Sequence, residues 1–326
     1  MSLNDKNISY LSSCKICGNT NLKNVIKLNE QYISATFVKS NKKNDLKKIK
    51  TPLTLSLCDQ SKKNNSCGHL QLYEIINPDL LYRQYFYRST TNDIMRKDLK
   101  NVVQSVLKIS RPKPKDIIVD IGSNDCTLLN FYKNNLKLVG FEPAQNIRFI
   151  DKGKNIKIFS NYFNANDFKK NFDQKAKVVT SCAMFYDLKN PKKFLKDILN
   201  ILDDNGIWCV QISYLLLMIK NLNFYDICHE HLSYYSIYSF ERLISQFNLK
   251  IFYAETNGVN GGSIRFYVCK KECKKYDKEN FQTKLKKLRT EEKKYHLSNE
   301  NTFFIFQKKI DELKHKINTY VDNILK

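Results

Sequence analysis

The segment FYDICHEHLSYYS, residues 224–236, sets His229, Glu230 and His231 side by side. An imidazole titrates near neutral pH, so it can remove a proton under physiological conditions. A neighbouring carboxylate can fix its tautomer and raise its basicity. Consecutive side chains point in different directions, so these three do not make one metal site. One histidine can face a substrate while the other orients the loop. The chain has five histidines, and two of them flank this one glutamate. That concentration favours acid–base work over a loop of hydrogen-bonded imidazoles.

A second reactive set opens the chain. Cys14 and Cys17 form a CxxC followed by Gly18, as in a knuckle turn; Cys58 and Cys67 come later, the second again followed by glycine in CGHLQL. Two such elements can bring four thiolates together, which suits tetrahedral zinc. The second pair is spaced more widely than a usual knuckle, and His69 can substitute for one ligand. Four cysteines leave no open coordination position, so the metal would be structural, stapling a small polar segment.

These groups need a frame, and IIVDIGSNDCTLL, 117–129, supplies its centre. Ile117, Ile118 and Val119 read as a buried strand, Gly122 as a tight turn, and Thr127 to Leu129 as the start of a helix over about 127–134. Next comes an apolar run, LVGFEP, ending at Glu142. A strand, a glycine turn, a helix and a second strand ending in an acid suit a nucleoside-bearing cofactor, whose ribose hydroxyls the carboxylate can accept. A dinucleotide would want three glycines spaced GxGxxG. Only Gly122 is present, and Asp120 and Asp125 would repel phosphate. S-adenosylmethionine carries a sulfonium and an ammonium and no phosphate, so it fits these acids better.

From residue 116 the α/β alternation is regular. Strands are expected at 117–121, 137–141, 177–182 and 206–212, and further strands in KIFYAET and GGSIRFYVCK. Helices fit 127–134, 145–151, 190–202 and about 238–247, with DDNG, 203–206, as a turn. The HEH loop follows a strand ending near Ser213, where open α/β sheets bind ligands. Ahead of the frame, YRQYFYRSTTND places Tyr82, Tyr85, Tyr87 and Arg88 before an N-cap at Thr91 or Asn92. Such tyrosines can line a polar pocket or pack a seam between domains. The implied division is an irregular zinc-binding segment at 1–75, a catalytic domain at 76–270 and a lysine-rich helical segment at 271–326. In the last, Phe303, Phe306, Ile310, Leu313, Ile317 and Tyr320 form an apolar stripe.

Composition bounds the rest. The 326 residues carry a formal net charge of +23 and ten cysteines. No apolar run reaches membrane-spanning length, and MSLNDKNISYLSS has no signal-peptide core, so a cytoplasmic protein with free or metal-bound thiols is expected. The charge suits an anionic partner, but the lysines are spread out and no basic–aromatic platform is patterned, so nucleic acid is not expected.

The motifs together resemble the nucleotide-sugar C-methyltransferase family. The matching elements are CKICG, CGHLQL, VDIGSNDCTLL, GFEPAQN, MFYDLKNPKKFL, HEHLSYYS and NGGSIRFYV, in family order from about 14 to 268. The resemblance implies a class I S-adenosylmethionine-dependent methyltransferase, with a seven-stranded sheet flanked by helices and an N-terminal zinc-binding domain. It implies a nucleotide-linked 4-keto-6-deoxysugar as substrate, deprotonated beside the ketone so that the enolate carbon takes the methyl group. The family's base falls on His231 and its supporting acid on Glu230. The cofactor positions fall on Asp120, Gly122, Asn124 and Glu142. Tyr85, Tyr87, Arg88 and Cys228 fall to the substrate side. Cys228 stands where the family has a tyrosine, and Cys126 stands where it has a second glycine. Many relatives continue into a further C-terminal domain after the long helix. The rival readings are methylation on oxygen or nitrogen, a zinc-bearing nucleic-acid binder, and a noncatalytic subunit. Oligomeric state is left open.

Overall fold

The computed structural model describes residues 7–34, 50–60 and 66–325. Residues 1–6, the start of the segment read for a signal peptide, lie outside that range. The N-terminal elements are β1 (Ile8–Tyr10), β2 (Leu22–Tyr32), β3 (Lys50–Cys58), β4 (Leu70–Leu72), β5 (Glu74–Ile76) and α1 (Pro78–Tyr82). The central set runs α2 (Asp93–Ser110), β6 (Ile117–Ile121), β7 (Lys137–Phe141), β8 (Lys157–Phe159), α3 (Ala165–Lys169), β9 (Ala176–Cys182), α4 (Pro191–Ile201), β10 (Leu202–Ser213) and α5 (Leu215–Asn221). It continues with β11 (Ser233–Tyr234), α6 (Ile237–Ile244), β12 (Leu249–Asn257) and β13 (Ser263–Lys270), and the chain closes with α7 (Glu279–Lys293) and α8 (Glu300–Ile324).

The main sheet has seven strands in the order β12-β13-β10-β9-β6-β7-β8. Five of them, β6 to β10, run parallel, while β13 is antiparallel to both β10 and β12. This is the class I methyltransferase order. All five residues of β6 are buried, as the β-branched run requires. The chain winds outward from β6 through β7 to β8, then returns to β9 on the other side of β6. That reversal opens a crevice at the carboxyl ends of β6 and β9. Among the described residues no helix is long and apolar enough to cross a membrane.

Local chemistry sets the element ends. Asn92 caps α2, its Oδ1 accepting from Ile94 N at 2.9 Å and Met95 N at 3.2 Å. The helix expected over 127–134 shrinks to one 3-10 turn, Leu129–Phe131. Asn130 accounts for part of this: its side-chain amide bonds Cys126 O and Ile150 O, in competition with a helical ladder. No helix forms at 145–151, because that backbone pairs with the 83–88 stretch through Gln145 N to Arg83 O and Arg88 to Asn146 O. The seventh strand, β8, lies where no element was expected. DDNG bulges out of β10 rather than preceding it, breaking register between Leu202 and Ile207.

The N-terminal region expected to be irregular is instead a sheet of four strands, β11-β4-β3-β2. Its edge strand β11 lies immediately after the HEH residues, and Ser233 pairs with Gln71 and Tyr234 with Leu70. The HEH loop is therefore built into the N-terminal sheet. The C-terminal stripe packs only over its first half: Phe303, Phe306 and Ile310 are buried, whereas Ile317 and Tyr320 are exposed. There α8 lies on β2, with Lys27 N donating to Gln307 Oε1 at 2.8 Å and Lys23 paired with Glu300. Glu292 of α7 is buried under α6; its carboxylate accepts from Ile237 N, Tyr238 N and Tyr214 Oη.

Candidate active site

A cavity of about 740 Å³ opens at the crevice between β6 and β9. One wall is the turn after β6 with the end of β7. Gly122 sits at φ +72°, where a Cβ is strained, and an added Cβ would meet Met184 Cγ at 3.2 Å. Glu142 is buried in this wall, its Oε2 accepting from Asn124 N and its Oε1 from Ala144 N, both at 2.8 Å. Each oxygen keeps a lone pair for a ligand. Asp120 is also buried, and its Oδ1 accepts from Thr180 Oγ1 at 2.6 Å. Burial pushes its carboxyl up to about 7 against that hydrogen bond, and the charge of Glu142 pushes the same way. Ser123 adds a buried hydroxyl with no hydrogen-bond partner among the described residues. Two buried acids without a paired cation, a glycine cradle and an orphan hydroxyl fit S-adenosylmethionine, which brings positive charge and ribose hydroxyls.

Asn124 lines the cavity, but its side chain acts as a fastener. Its Oδ1 accepts from Ser89 N at 2.9 Å and its Nδ2 donates to Tyr87 O at 3.1 Å. Asp125 ties the same segment through Thr90. These bonds draw the aromatic stretch over the crevice, so Tyr82, Tyr85 and Tyr87 line it. Tyr87 Oη is buried without a partner among the described residues. Arg88 does not line the cavity. Its guanidinium donates to the carbonyls of Tyr85, Tyr87 and Asn146, which shapes the stretch from behind.

The wall after β9 holds Met184, Tyr186 and Asp187. Asp187 gave no signal in the sequence beyond its place in MFYDLKN. Cys228, His229, Glu230 and His231 are not among the lining residues. His231 packs edge-on against Tyr186, ring centroids 4.4 Å apart. Its Nδ1 lies 2.7 Å from Asp226 O, so Nδ1 carries the proton and Nε2 keeps the lone pair. Burial raises the carboxyl of Glu230, opposed by the charge of His231. Burial also holds the Cys228 thiol up at about 12, so it is neutral.

His229 is placed differently. It is buried, its Nδ1 accepts from Ser34 N and its Nε2 donates to Thr51 O, both at 3.3 Å. Both nitrogens are taken by backbone, and burial keeps the ring neutral. The structure thus ties His229 to the segment after β2 and to β3, and brings His231 rather than His229 against the cavity wall. A buried network behind the cavity also escaped the sequence reading. Gln211, which lines the cavity, accepts from Arg265 Nε at 2.9 Å and donates to Asp98 at 2.6 Å, while Arg265 pairs with Asp98.

The four cysteine sulfurs of Cys14, Cys17, Cys58 and Cys67 all lie within 4.8 Å of one another. Cys14 and Cys67 are 3.4 Å apart and Cys17 and Cys58 3.5 Å. A tetrahedral zinc with Zn–S of about 2.3 Å separates its sulfurs by roughly 3.8 Å, so the cluster fits the ion closely. His69 stands outside this set, buried with its ring 4.8 Å from that of Tyr235. Lys15, inside the knuckle, reaches from it to donate to Leu232 O at 3.2 Å, one residue past His231.

Known proteins share these parts. Residues 14–82 match a zinc binding domain, 92–254 a methyltransferase domain and 258–326 a C-methyltransferase C-terminal domain. The C-methyltransferase NovU of Streptomyces niveus is 22% identical over 257 residues, covering 78% of this chain; the chain spans 60% of NovU's length. An S-adenosylmethionine-dependent methyltransferase from Clostridium acetobutylicum matches with a TM-score of 0.42 at 12% identity, over 54% of this chain and 92% of that one. Magnesium protoporphyrin IX methyltransferase of Synechocystis, solved with bound SAH, matches with a TM-score of 0.41 at 9% identity, over 55% of this chain and 88% of that one. With half its length in the methyltransferase domain and flanking regions that match the zinc binding and C-methyltransferase C-terminal domains, the chain belongs to the class I S-adenosylmethionine-dependent methyltransferase family.

Proposed function

We propose that this protein methylates a nucleotide-linked 4-keto-6-deoxysugar at the carbon beside its ketone. The observation that carries the reading is one cavity, walled on one side by the Gly122 turn and Glu142 and on the other by phenols and the Asp187 carboxyl. A proton on carbon is acidic only beside a carbonyl, so such a reaction needs a base and stabilisation of the enolate oxygen. His231, packed against the cavity-lining Tyr186 with its Nδ1 held by Asp226 O, is assigned the role of base through Nε2, which has no hydrogen-bond partner among the described residues. Glu230 adjoins it as the supporting acid. Tyr82, Tyr85 and Tyr186 supply hydroxyls where Cys228 has none to give. Asp120, Glu142 and the glycine turn hold the donor, which when bound supplies an electrophilic methyl on sulfur. Lys189 and Lys193, exposed where they line the cavity, suit a diphosphate.

The test is mass spectrometry of a panel of nucleotide sugars, keto forms included, incubated with the protein and S-adenosylmethionine. A product heavier by one methylene, with the new methyl kept on the carbon skeleton, is expected. In heavy water without the donor, the wild-type protein should wash deuterium in beside the ketone, and His231→Ala should not. A methyl on oxygen, with no wash-in, would replace this reading.

A further inference from the structure

Resting on the sugar reading, we propose that Asp187 is a second catalytic group, a hydrogen-bond donor to the substrate oxygen that becomes negative in the enolate. Asp187 ends the short turn after β9, beside the topological switch, and lines the same cavity as Gly122 and Glu142. The turn aims it: Asp187 N donates to Met184 O at 3.1 Å, and Met184 packs over Gly122. Its Oδ1 is buried and has no hydrogen-bond partner among the described residues. A buried acceptor without a donor is costly unless it carries a proton or awaits a ligand.

The surroundings favour the proton. From the loop Glu230 and Cys228 approach the carboxyl and push it up, whereas the hydroxyl of Tyr82 of α1, turned toward it, works the other way. His231 on that loop opposes the effect of burial only while it is protonated; as the neutral base it brings no charge to the carboxyl. From the knuckle Lys15 approaches too, its Nζ donating to Leu232 O, and while charged it opposes burial in the same sense. Tyr186 and Tyr234 complete the shell. Burial dominates and holds the Asp187 carboxyl well above the usual carboxylate range.

A neutral carboxyl in a cavity wall is a donor ready for an oxyanion. The step balances. The proton leaves carbon for His231 Nε2, and its bonding pair becomes the C=C bond. The carbonyl pair moves onto oxygen, where the Asp187 O–H donates. The C=C pair then takes the methyl, the C=O bond re-forms, and the proton on His231 passes to water. Asp187 keeps its own proton throughout.

Deuterium wash-in at the keto sugar, methyl transfer and calorimetric binding of S-adenosylhomocysteine would be measured on the full chain. Asp187→Ala should slow wash-in and transfer together by about a hundredfold or more, the loss typical of one oxyanion donor, with cofactor binding unchanged. Asp187→Asn, which keeps the shape and an N–H donor, should recover to within about tenfold of wild type. A base would not be rescued this way, and a merely structural group would lose cofactor binding along with the rate in Asp187→Ala. If Asp187→Ala does not fold, the isosteric Asn variant decides. Asn as inactive as Asp187→Ala or as His231→Ala, or Ala as fast as wild type, overturns the inference alone. A wild-type protein that binds cofactor but exchanges no keto sugar overturns the sugar reading, and the inference with it.

Discussion

Glu142 offers the sharpest quantitative test of the cofactor wall. Both its oxygens already accept a backbone N–H at 2.8 Å, so the carboxylate cannot swing, and its remaining lone pairs are aimed. Hydrogen bonds to charged acceptors contribute about 1.5–3 kcal/mol each. Two ribose hydroxyls at the lower end give about 3 kcal/mol, or roughly a 150-fold loss of affinity on replacement by Ala. Glu142→Ala also orphans Asn124 N and Ala144 N, which costs folding stability. Glu142→Gln reduces both effects, because it keeps the shape and one acceptor oxygen and so orphans one backbone N–H instead of two. It should weaken binding by about 1.5 kcal/mol, close to tenfold, and lower the melting temperature less than Ala does. Calorimetric titration with S-adenosylhomocysteine, paired with a thermal melt, reads both. A folded Glu142→Ala protein whose Kd stays within about threefold of wild type would refute the assignment of this wall to the ribose.

Asp120 gives a pH signature. Its carboxyl sits near 7 when folded and near 4 when unfolded, so between those values the unfolded chain releases a proton that the folded one keeps. Stability should therefore fall as pH rises from about 4 to about 7 and level off above. Affinity for the cationic donor should rise over pH 6 to 8, more than for the uncharged thioether product, and Asp120→Asn should abolish the difference. Removing the metal with a chelator should lower the melting temperature and the transfer rate together, since β11 and Lys15 join the HEH loop to the cysteine knuckle. Metal-free protein with full activity would contradict that link. Glu292→Ala strips two backbone N–H groups of α6 and the Tyr214 hydroxyl of their acceptor. It should cost about 2–3 kcal/mol and lower the melting temperature by roughly 5 °C by calorimetry.

The periodic parts of the chain were legible. Buried strands such as β6 announce themselves as β-branched runs, and four cysteines beside glycine turns announce a metal. The tail stripe was half-legible: periodicity shows which face is apolar, but only packing shows that the body ends near Ile310. Short asparagine-rich stretches misled, because residues such as Asn130 bond backbone that a helix would use. Within the HEH triplet, residue type could not rank the histidines. Long-range bonds to Ser34 and Thr51 set His229 apart from His231, and no local pattern encodes them. Asp187 was invisible for a related reason: an acid on a turn is ordinary until the fold buries its oxygen without a partner.

The pairing of β4 with β11 has a consequence for biosynthesis. The four metal-binding cysteines lie between residues 14 and 67, so they leave the ribosome early and can gather an ion while most of the chain is still unmade. The sheet beside them cannot close then, because its edge partner for Leu70 and Gln71 is Ser233–Tyr234. Until that strand is synthesised, β4 presents an open ladder, the kind of edge that invites pairing with another chain. The strand that closes it arrives directly behind His231. Protection of the nascent edge and assembly of the HEH loop are thus a single late event, and a chain halted before residue 234 would gain neither.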